Sequence, residues 1–472
     1  MNLDDVIYLG LLLSTIVFGC FYRKINDPNL KKNVGSLVGL LVILSVSGVH
    51  ILHPLLSTVI AAQIILHVSK KKCHIATFVF CFLYLFFFRT TVHFGVPYPP
   101  AHTNLIQMIL TLKLVGLSLE VSSSHENKKR KDSSSKSEEE KYEEKHNDID
   151  NLKFIDILHY SFNYVGILTG PYYRYRTFVD SIEKPYIKYD NWKDNLIEKL
   201  KYVPIFAIFF LVASHYWPLS YALSDEFYNE RSWLYRYWYI WPNFFIFRMR
   251  IYIGLLLSES ACVTAGLGLY PAITQPKSGH GPSQQFKCLV ESKTPKELES
   301  LEYNYKTIYN INPYGSDFCV TYREGMKHWN ICVQYWLAVN VYKKFPFKKL
   351  RTIATLMISA VWHGVWTGYY VCIGTVPFGL MVEDIWVQLL LKDHQGTALK
   401  RNEWFVWFYK MKVFSYQAIA FHLLEINKII KYFNSIYHVG LIIHLFWYVV
   451  GLQLLKAKKS KEQKITKEQK GE

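Results

Sequence analysis

The sequence predicts an all-α polytopic membrane protein, with about eleven transmembrane helices plus re-entrant and interfacial helices around a central cavity. Three observations carry that prediction. Apolar runs recur along almost all of the 472 residues with mostly short polar interruptions, the pattern of repeated bilayer crossings rather than of several soluble domains. Aromatic residues make up 17% of the chain, which suits interfacial belts and aromatic-lined cavities. The basic residues behind a net charge of +17 sit in short loops beside apolar runs. Positive-inside bias and attraction to anionic headgroups explain that placement better than nucleic acid does.

Taken in order, the first run follows Asp4 and Asp5 and is followed by Arg23, Lys24, Lys31 and Lys32, which places the N-terminus in the lumen. It lacks a basic leader and a small-residue cleavage site, and reads as a retained span. Spans near 36–53 and 54–68 return the chain to Lys70–Lys72, and spans near 75–95 and 104–121 end at Lys128–Lys131. Three basic stretches thus fall on one side. Residues 122–151 are a Ser/Lys/Glu mixture that buries no core and reads as a disordered cytosolic loop. Phe154–Gly170 is moderately apolar and reads as re-entrant or interfacial; residues 184–201 read as a surface helix.

Spans near 202–222 and 237–257 bracket Asp225, Glu226 and Glu230. The Gly-bearing run near 258–271 suits close packing on a neighbour. Residues 275–312 form a polar loop with one short helix. Apolar runs near 371–392, 405–424 and 435–455 complete a single multi-span domain over residues 1–455, and residues 456–472 form a basic cytosolic tail. The eight cysteines show no CxxC pair, so neither a disulfide framework nor a metal site is indicated.

The stretch Thr321–Tyr370 holds two apolar segments on either side of the basic connection Lys343–Arg351. On the first, Arg323, Lys327, Asn330 and Gln334 recur at helical spacing; on the second, Thr352, Thr355, Ser359 and His363 do the same. On helices each set forms one stripe, and polar stripes inside apolar segments predict a wet or ligand-filled cavity between them. His363 suits a general base for an alcohol, set against a packing role bonded to Ser359 or Thr367. Asn330 suits a donor to a developing oxyanion or a group orienting the base, set against an interhelical hydrogen bond. Lys327 meets a phosphate at the cytosolic mouth or snorkels, and Gln334 and Ser359 share the stripes.

Two R-x-R pairs, Arg174/Arg176 and Arg248/Arg250, carry a second expectation. On a helix, residues two apart point about 200° away from each other, so one face does not hold both members of a pair, and either the backbone is non-helical there or one arginine serves structure. At least one arginine of each pair is expected to bind phosphate, of CoA or of the inositol phosphate headgroup, against snorkelling or pairing with backbone carbonyls.

The motifs WNICVQYWL (Trp329–Leu337) and SAVWHG (Ser359–Gly364) resemble the membrane-bound O-acyltransferase family. GPYYRYRTF (Gly170–Phe178) and FRMRIY (Phe247–Tyr252) resemble its lysophosphatidylinositol acyltransferase branch, with a likeness over nearly the full chain. The resemblance implies a helical bundle in the endoplasmic reticulum membrane, with Asn330 and His363 as the two family site positions. It implies acyl transfer from acyl-CoA, a co-substrate rather than a bound cofactor, to the free hydroxyl of lysophosphatidylinositol. The preferred acyl chain would be polyunsaturated, typically arachidonoyl. Rival readings keep the chemistry on lysophosphatidylcholine or lysophosphatidylserine, or give the chain to a transporter or scaffold. No internal repeat supports the transporter reading.

Overall fold

The computed structural model describes residues 3–131, 149, 151–183, 185–284, 293–392 and 395–469. Most of these are helical. The first four long helices are α1 (Leu3–Tyr22), α2 (Pro28–Ser47), α3 (Leu52–His67) and α4 (Cys73–Arg89). Helix α2 illustrates how the sequence sets its own limits. Asp27 accepts from the Leu30 N–H, Pro28 opens the first turn, and Gly48 ends the helix at φ +52, as expected of an N-cap, a first-turn proline and a terminal glycine.

Helix α5 (Ala101–Lys131) is the interior of the bundle. Its membrane-length window is 89% buried by protein, whereas that of the last helix is 6% buried, so the first is sheathed and the second faces lipid. This explains why α5 tolerates Gln107, Thr111, Lys113 and Ser118, all buried. Lys113 donates to the Tyr160 carbonyl at 3.2 Å and to the Tyr173 hydroxyl at 3.0 Å, which satisfies a cation that hydrocarbon would exclude.

Three short helices follow: α6 (Phe154–Phe162), α7 (Tyr175–Glu183) and α8 (Trp192–Leu200). Helix α9 (Val203–Tyr216) leads to α10 (Trp233–Ala265), which packs against α1, α8 and α9 and against a later helix over Gly396–Leu423. Ser232 caps the start of α10 and Gly266, at φ +78, its end. A two-residue ladder pairs β1 (Tyr270–Pro271) with β2 (Tyr303–Asn304). Beyond it lie α11 (Pro313–Phe318), α12 (Tyr322–Lys327), α13 (Ile331–Leu337) and α14 (Arg351–His363). The chain closes with α15 (Thr367–Gly374), α16 (Val376–Leu390), α17 (Gly396–Leu423), α18 (Ile426–Ser435) and α19 (Val439–Gln469).

Several expected boundaries move. Residues 122–131, expected as loop, continue α5; residues 132–148 and 150 of that expected loop lie outside the described residues. The expected span 237–257 and residues 258–265 of the run after it belong to one 33-residue helix, which carries Pro242 within it and ends at Gly266. The expected tail begins as a continuation of α19, and residues 470–472 lie outside the described residues, as do 285–292 of the polar loop and residue 184 of the expected surface helix. The rest of that surface helix is α8 with a 3₁₀ turn before it, Pro185–Tyr189. Among the described residues six helical segments are long and apolar enough to cross a membrane. One of these, Pro28–His67, holds α2 and α3 together, and shorter apolar helices such as Cys73–Arg89 add to them.

The largest difference concerns the first polar stripe. It is not one helix: α12 ends at Lys327, α13 begins at Ile331, and Asn330 between them takes φ +50, ψ +50. Spacing alone signals no break here, because neither glycine nor proline marks it. The second stripe is a single helix, α14, as expected.

Candidate active site

Asn330 stands at the N-cap position of α13 in the left-handed region, where asparagine is among the least strained of side-chain-bearing residues. A helix start leaves four N–H groups without intrahelical partners. Here the Val333 and Gln334 N–H groups reach the Asn330 carbonyl at 3.0 and 3.1 Å. The Ile331 N–H reaches the Asn310 carbonyl at 2.7 Å, and the Cys332 N–H reaches Asn310 Oδ1 at 3.0 Å. The Asn330 side chain makes no capping bond, and its half-buried carboxamide is left for other work.

Asn310 is itself fixed. Glu259 on α10 is fully buried and accepts from the Asn310 and Ile311 N–H groups at 2.7 and 3.0 Å. Its other oxygen takes Lys199 of α8. On the far side, Gln334 donates to the Met326 and Trp329 carbonyls, so it ties α13 back to the end of α12 rather than facing a ligand.

His363 is the last residue of α14. A helix end leaves carbonyls rather than N–H groups in need of partners. Arg89, the last residue of α4, supplies them: Nη1 donates to the Val361 carbonyl at 2.8 Å and Nη2 to the Trp362 carbonyl at 2.6 Å. Asn104 of α5 holds the Arg89 Nε at 2.8 Å. Trp362 donates its Nε1 to the Met108 carbonyl at 3.0 Å. The turn that carries His363 is therefore pinned to α4 and α5, and the imidazole projects among Trp362, Phe421 and Tyr369, with ring centroids 4.9, 5.3 and 6.0 Å away.

Glycines make this packing possible. A Cβ on Gly368 would run into the Ala420 carbonyl and the Leu424 backbone, and one on Gly364 into the Tyr369 ring. The Gly368 N–H meets the Leu424 carbonyl at 2.7 Å. This close approach of α15 to α17 brings Tyr369 and Phe421 within 4.6 Å of each other beside His363.

A row of rings connects the two candidate residues. From Phe421 it runs to Phe247 at 5.6 Å and on to Trp329, stacked at 6.1 Å, next to Asn330 in the chain. His422 lies 4.7 Å from Phe247, and its buried Nε2 has no hydrogen-bond partner among the described residues. A separate cavity of about 310 Å³ opens between α10 and α15–α19, with Lys412, Tyr409 and His444 in its walls. Neither Asn330 nor His363 lines it, so it is not the cavity that the polar stripes predict.

The remaining predicted residues are placed as follows. Arg174 precedes α7 and pairs with Glu120 at 3.4 Å, while Arg176 lies within α7 and pairs with Asp180 at 2.8 Å; the backbone before Tyr175 is not helical, as one branch of the R-x-R argument requires. On α10, Arg248 and Arg250 point apart as expected. Arg248 is buried and held by Asp317, which also takes the Tyr252 hydroxyl at 2.6 Å; Arg250 is exposed and meets Asp5 at 3.3 Å. Lys327 is exposed and Ser359 half-buried, one turn before His363.

Sequence reasoning missed Arg89, Asn310, Glu259 and His422. Two of them carry a legible signal, an arginine ending the aromatic run FLYLFFFR and a glutamate inside LLLSESACV, since charge within an apolar run marks a buried partner.

Residues 49–424 match the membrane-bound O-acyltransferase family. The chain is 43% identical over 471 residues to a membrane-bound acylglycerophosphatidylinositol O-acyltransferase of Drosophila melanogaster, covering 98% of this chain and 95% of that protein. It is 37% identical over 441 residues to the Homo sapiens protein of the same description, covering 93% and 91%. The Xenopus laevis counterpart is 35% identical over 479 residues, covering 100% and 98%.

Proposed function

Because the chain belongs to the membrane-bound O-acyltransferase family, we propose that it moves an acyl chain from acyl-CoA to the free hydroxyl of lysophosphatidylinositol in the endoplasmic reticulum membrane. The acceptor follows the relatives, whose names specify acylglycerophosphatidylinositol. The donor chain is polyunsaturated in this reading, the N-terminus is lumenal, and phospholipid remodelling is the setting.

The observation that carries the mechanism is that both residues sit at helix ends whose backbone groups are satisfied without use of the Asn330 or His363 side chain. Each side chain is therefore free to meet substrate. The acceptor hydroxyl gives its proton to a His363 ring nitrogen as its oxygen attacks the thioester carbonyl carbon. The carbonyl oxygen gains negative charge and is met by the Asn330 amide, which preorganised in a water-poor site is worth far more than in water. Alternatively Asn330 orients the imidazole. Collapse of the tetrahedral species expels the CoA thiolate, which takes the proton back from His363. Both substrates are held together, so no acyl-enzyme is required.

The arginines are proposed as phosphate ligands for CoA or the inositol headgroup. Each has a protein carboxylate at present, so a phosphate would share or replace that partner. Arg250, the most exposed of the four, does so at the least cost in desolvation.

The test is an acceptor panel with one acyl-CoA, run on membranes that contain the protein and on membranes that contain the His363→Ala variant. Lysophosphatidylinositol is expected to give the fastest His363-dependent release of CoA thiol. Faster turnover of lysophosphatidylcholine or lysophosphatidylserine would move the acceptor, and no lysolipid-dependent thiol release would remove the reading.

A further inference from the structure

We propose that Asn310 is a positioning residue for the transfer reaction. It caps α13 from another part of the chain, and so frees the Asn330 carboxamide for the reacting thioester. This rests on the reading of Asn330 given above.

An asparagine at an N-cap position ordinarily folds its side chain back onto the N–H groups of the first turn. A carboxamide occupied in that way has its oxygen committed and its plane fixed against the helix. Asn330 escapes this because every N–H of the first turn is already met: two by its own carbonyl, one by the Asn310 carbonyl and one by Asn310 Oδ1. Asn310 is buried, and its N–H is anchored on Glu259, which is fixed in turn by Lys199. The chain of support therefore runs from α8 through α10 to the first turn of α13. The left-handed backbone at Asn330 is the other half of the device: it turns the residue away from the extended N-cap conformation from which the side chain would reach its own helix.

The chemistry of the Asn310 side chain makes the proposal separable from mere packing. Its oxygen accepts from the Cys332 N–H at 3.0 Å. Aspartate supplies the same acceptor at the same reach and adds a negative charge at a helix start, where it is favoured. Alanine supplies none. Its loss leaves the Cys332 N–H without the partner that holds it, and the first turn of α13, with Asn330 at its head, loses that anchor.

The experiment uses the full-length protein in nanodiscs, with arachidonoyl-CoA and lysophosphatidylinositol as probes, and compares Asn310→Ala, Asn310→Asp, Asn330→Ala and the double variant Asn310→Ala/Asn330→Ala. Asn310→Ala is expected to lower kcat on the order of 10–100-fold, the scale set by small displacements of a catalytic group, with both KM values within about threefold of wild type. Asn310→Asp is expected to restore kcat to within about threefold. In the Asn330→Ala background the alanine at 310 should cost nothing further, because a residue that acts through Asn330 has nothing left to act on. Should Asn310→Ala not be recovered folded, Asn310→Ser, whose hydroxyl falls short of Cys332, takes its place in the same comparison.

A folded alanine or serine variant with wild-type kcat overturns the proposal. So does equal loss in both backgrounds, or an aspartate variant as slow as alanine. Full turnover by Asn330→Ala would instead overturn the reading of Asn330 on which the proposal stands.

Discussion

The start of α13 and the end of α14 solve one problem with opposite materials. At the start of α13 the groups in need are N–H donors, and a neutral amide, Asn310, accepts from them while a buried carboxylate holds it. At the end of α14 the groups in need are carbonyls, and a charged guanidinium, Arg89, donates to them while a neutral amide, Asn104, holds it. The polarity follows from the helix itself, whose N-terminus attracts negative and whose C-terminus attracts positive charge. In both places a different segment of the chain supplies side-chain partners, and the side chain of the terminal residue, Asn330 or His363, is spared that service.

The comparison breaks first on chemistry. His363→Ala is expected to lower turnover by about 10²–10⁴-fold, the range for a lost general base, and Asn330→Ala by about 10²–10³-fold, the range for a lost oxyanion donor. Both are read as CoA thiol release per unit of membrane-inserted protein. Turnover near wild type for either alanine variant would remove that end from the site. Next comes stability. Arg89→Ala orphans two carbonyls, each worth about 1–3 kcal/mol, so the melting temperature in detergent should fall sharply. Arg89→Lys should recover only part of the loss, because one ammonium does not reproduce the planar fork. An unchanged melting temperature would show that the end of α14 does not need Arg89.

A smaller effect is expected where the rings gather. Gly368→Ala overpacks the contact with Ala420, at about 1–3 kcal/mol, and should lower turnover by shifting Tyr369 and Phe421; equal activity and stability would mean that α15 moves freely. The least effect is expected at Arg323. Its pair with Asp384 is half-exposed on both sides and is worth at most about 1 kcal/mol, so Arg323→Ala should leave turnover alone. A large loss there would return Arg323 to the site from which the break at Asn330 separates it.

The membrane class was legible in the sequence, and His363 and Asn330 stood out as candidates, because both are local signals. Apolar runs announce spans, and a histidine or asparagine among tryptophans and tyrosines announces a cost that something offsets. The partners were not legible, for a physical reason. Arg89 and Val361 are 272 residues apart in the chain, and Glu259 and Asn310 are 51 apart. An arginine at the end of an apolar run reads equally as one that snorkels to the interface. Asn310 lies in a stretch whose polarity alone reads as loop. The break before α13 was hidden for another reason: asparagine adopts the left-handed conformation without the glycine that would have announced it.

One consequence belongs to α10. Phe247, in the row of rings leading to His363, and Glu259, in the support beneath Asn330, lie on this one helix. Twelve residues separate them, about 18 Å of rigid rod at 1.5 Å per residue. The surroundings of both candidate residues are thus gauged against the same ruler. A thicker or thinner bilayer that tips α10 carries the ring row beside His363 and the support beneath Asn330 together.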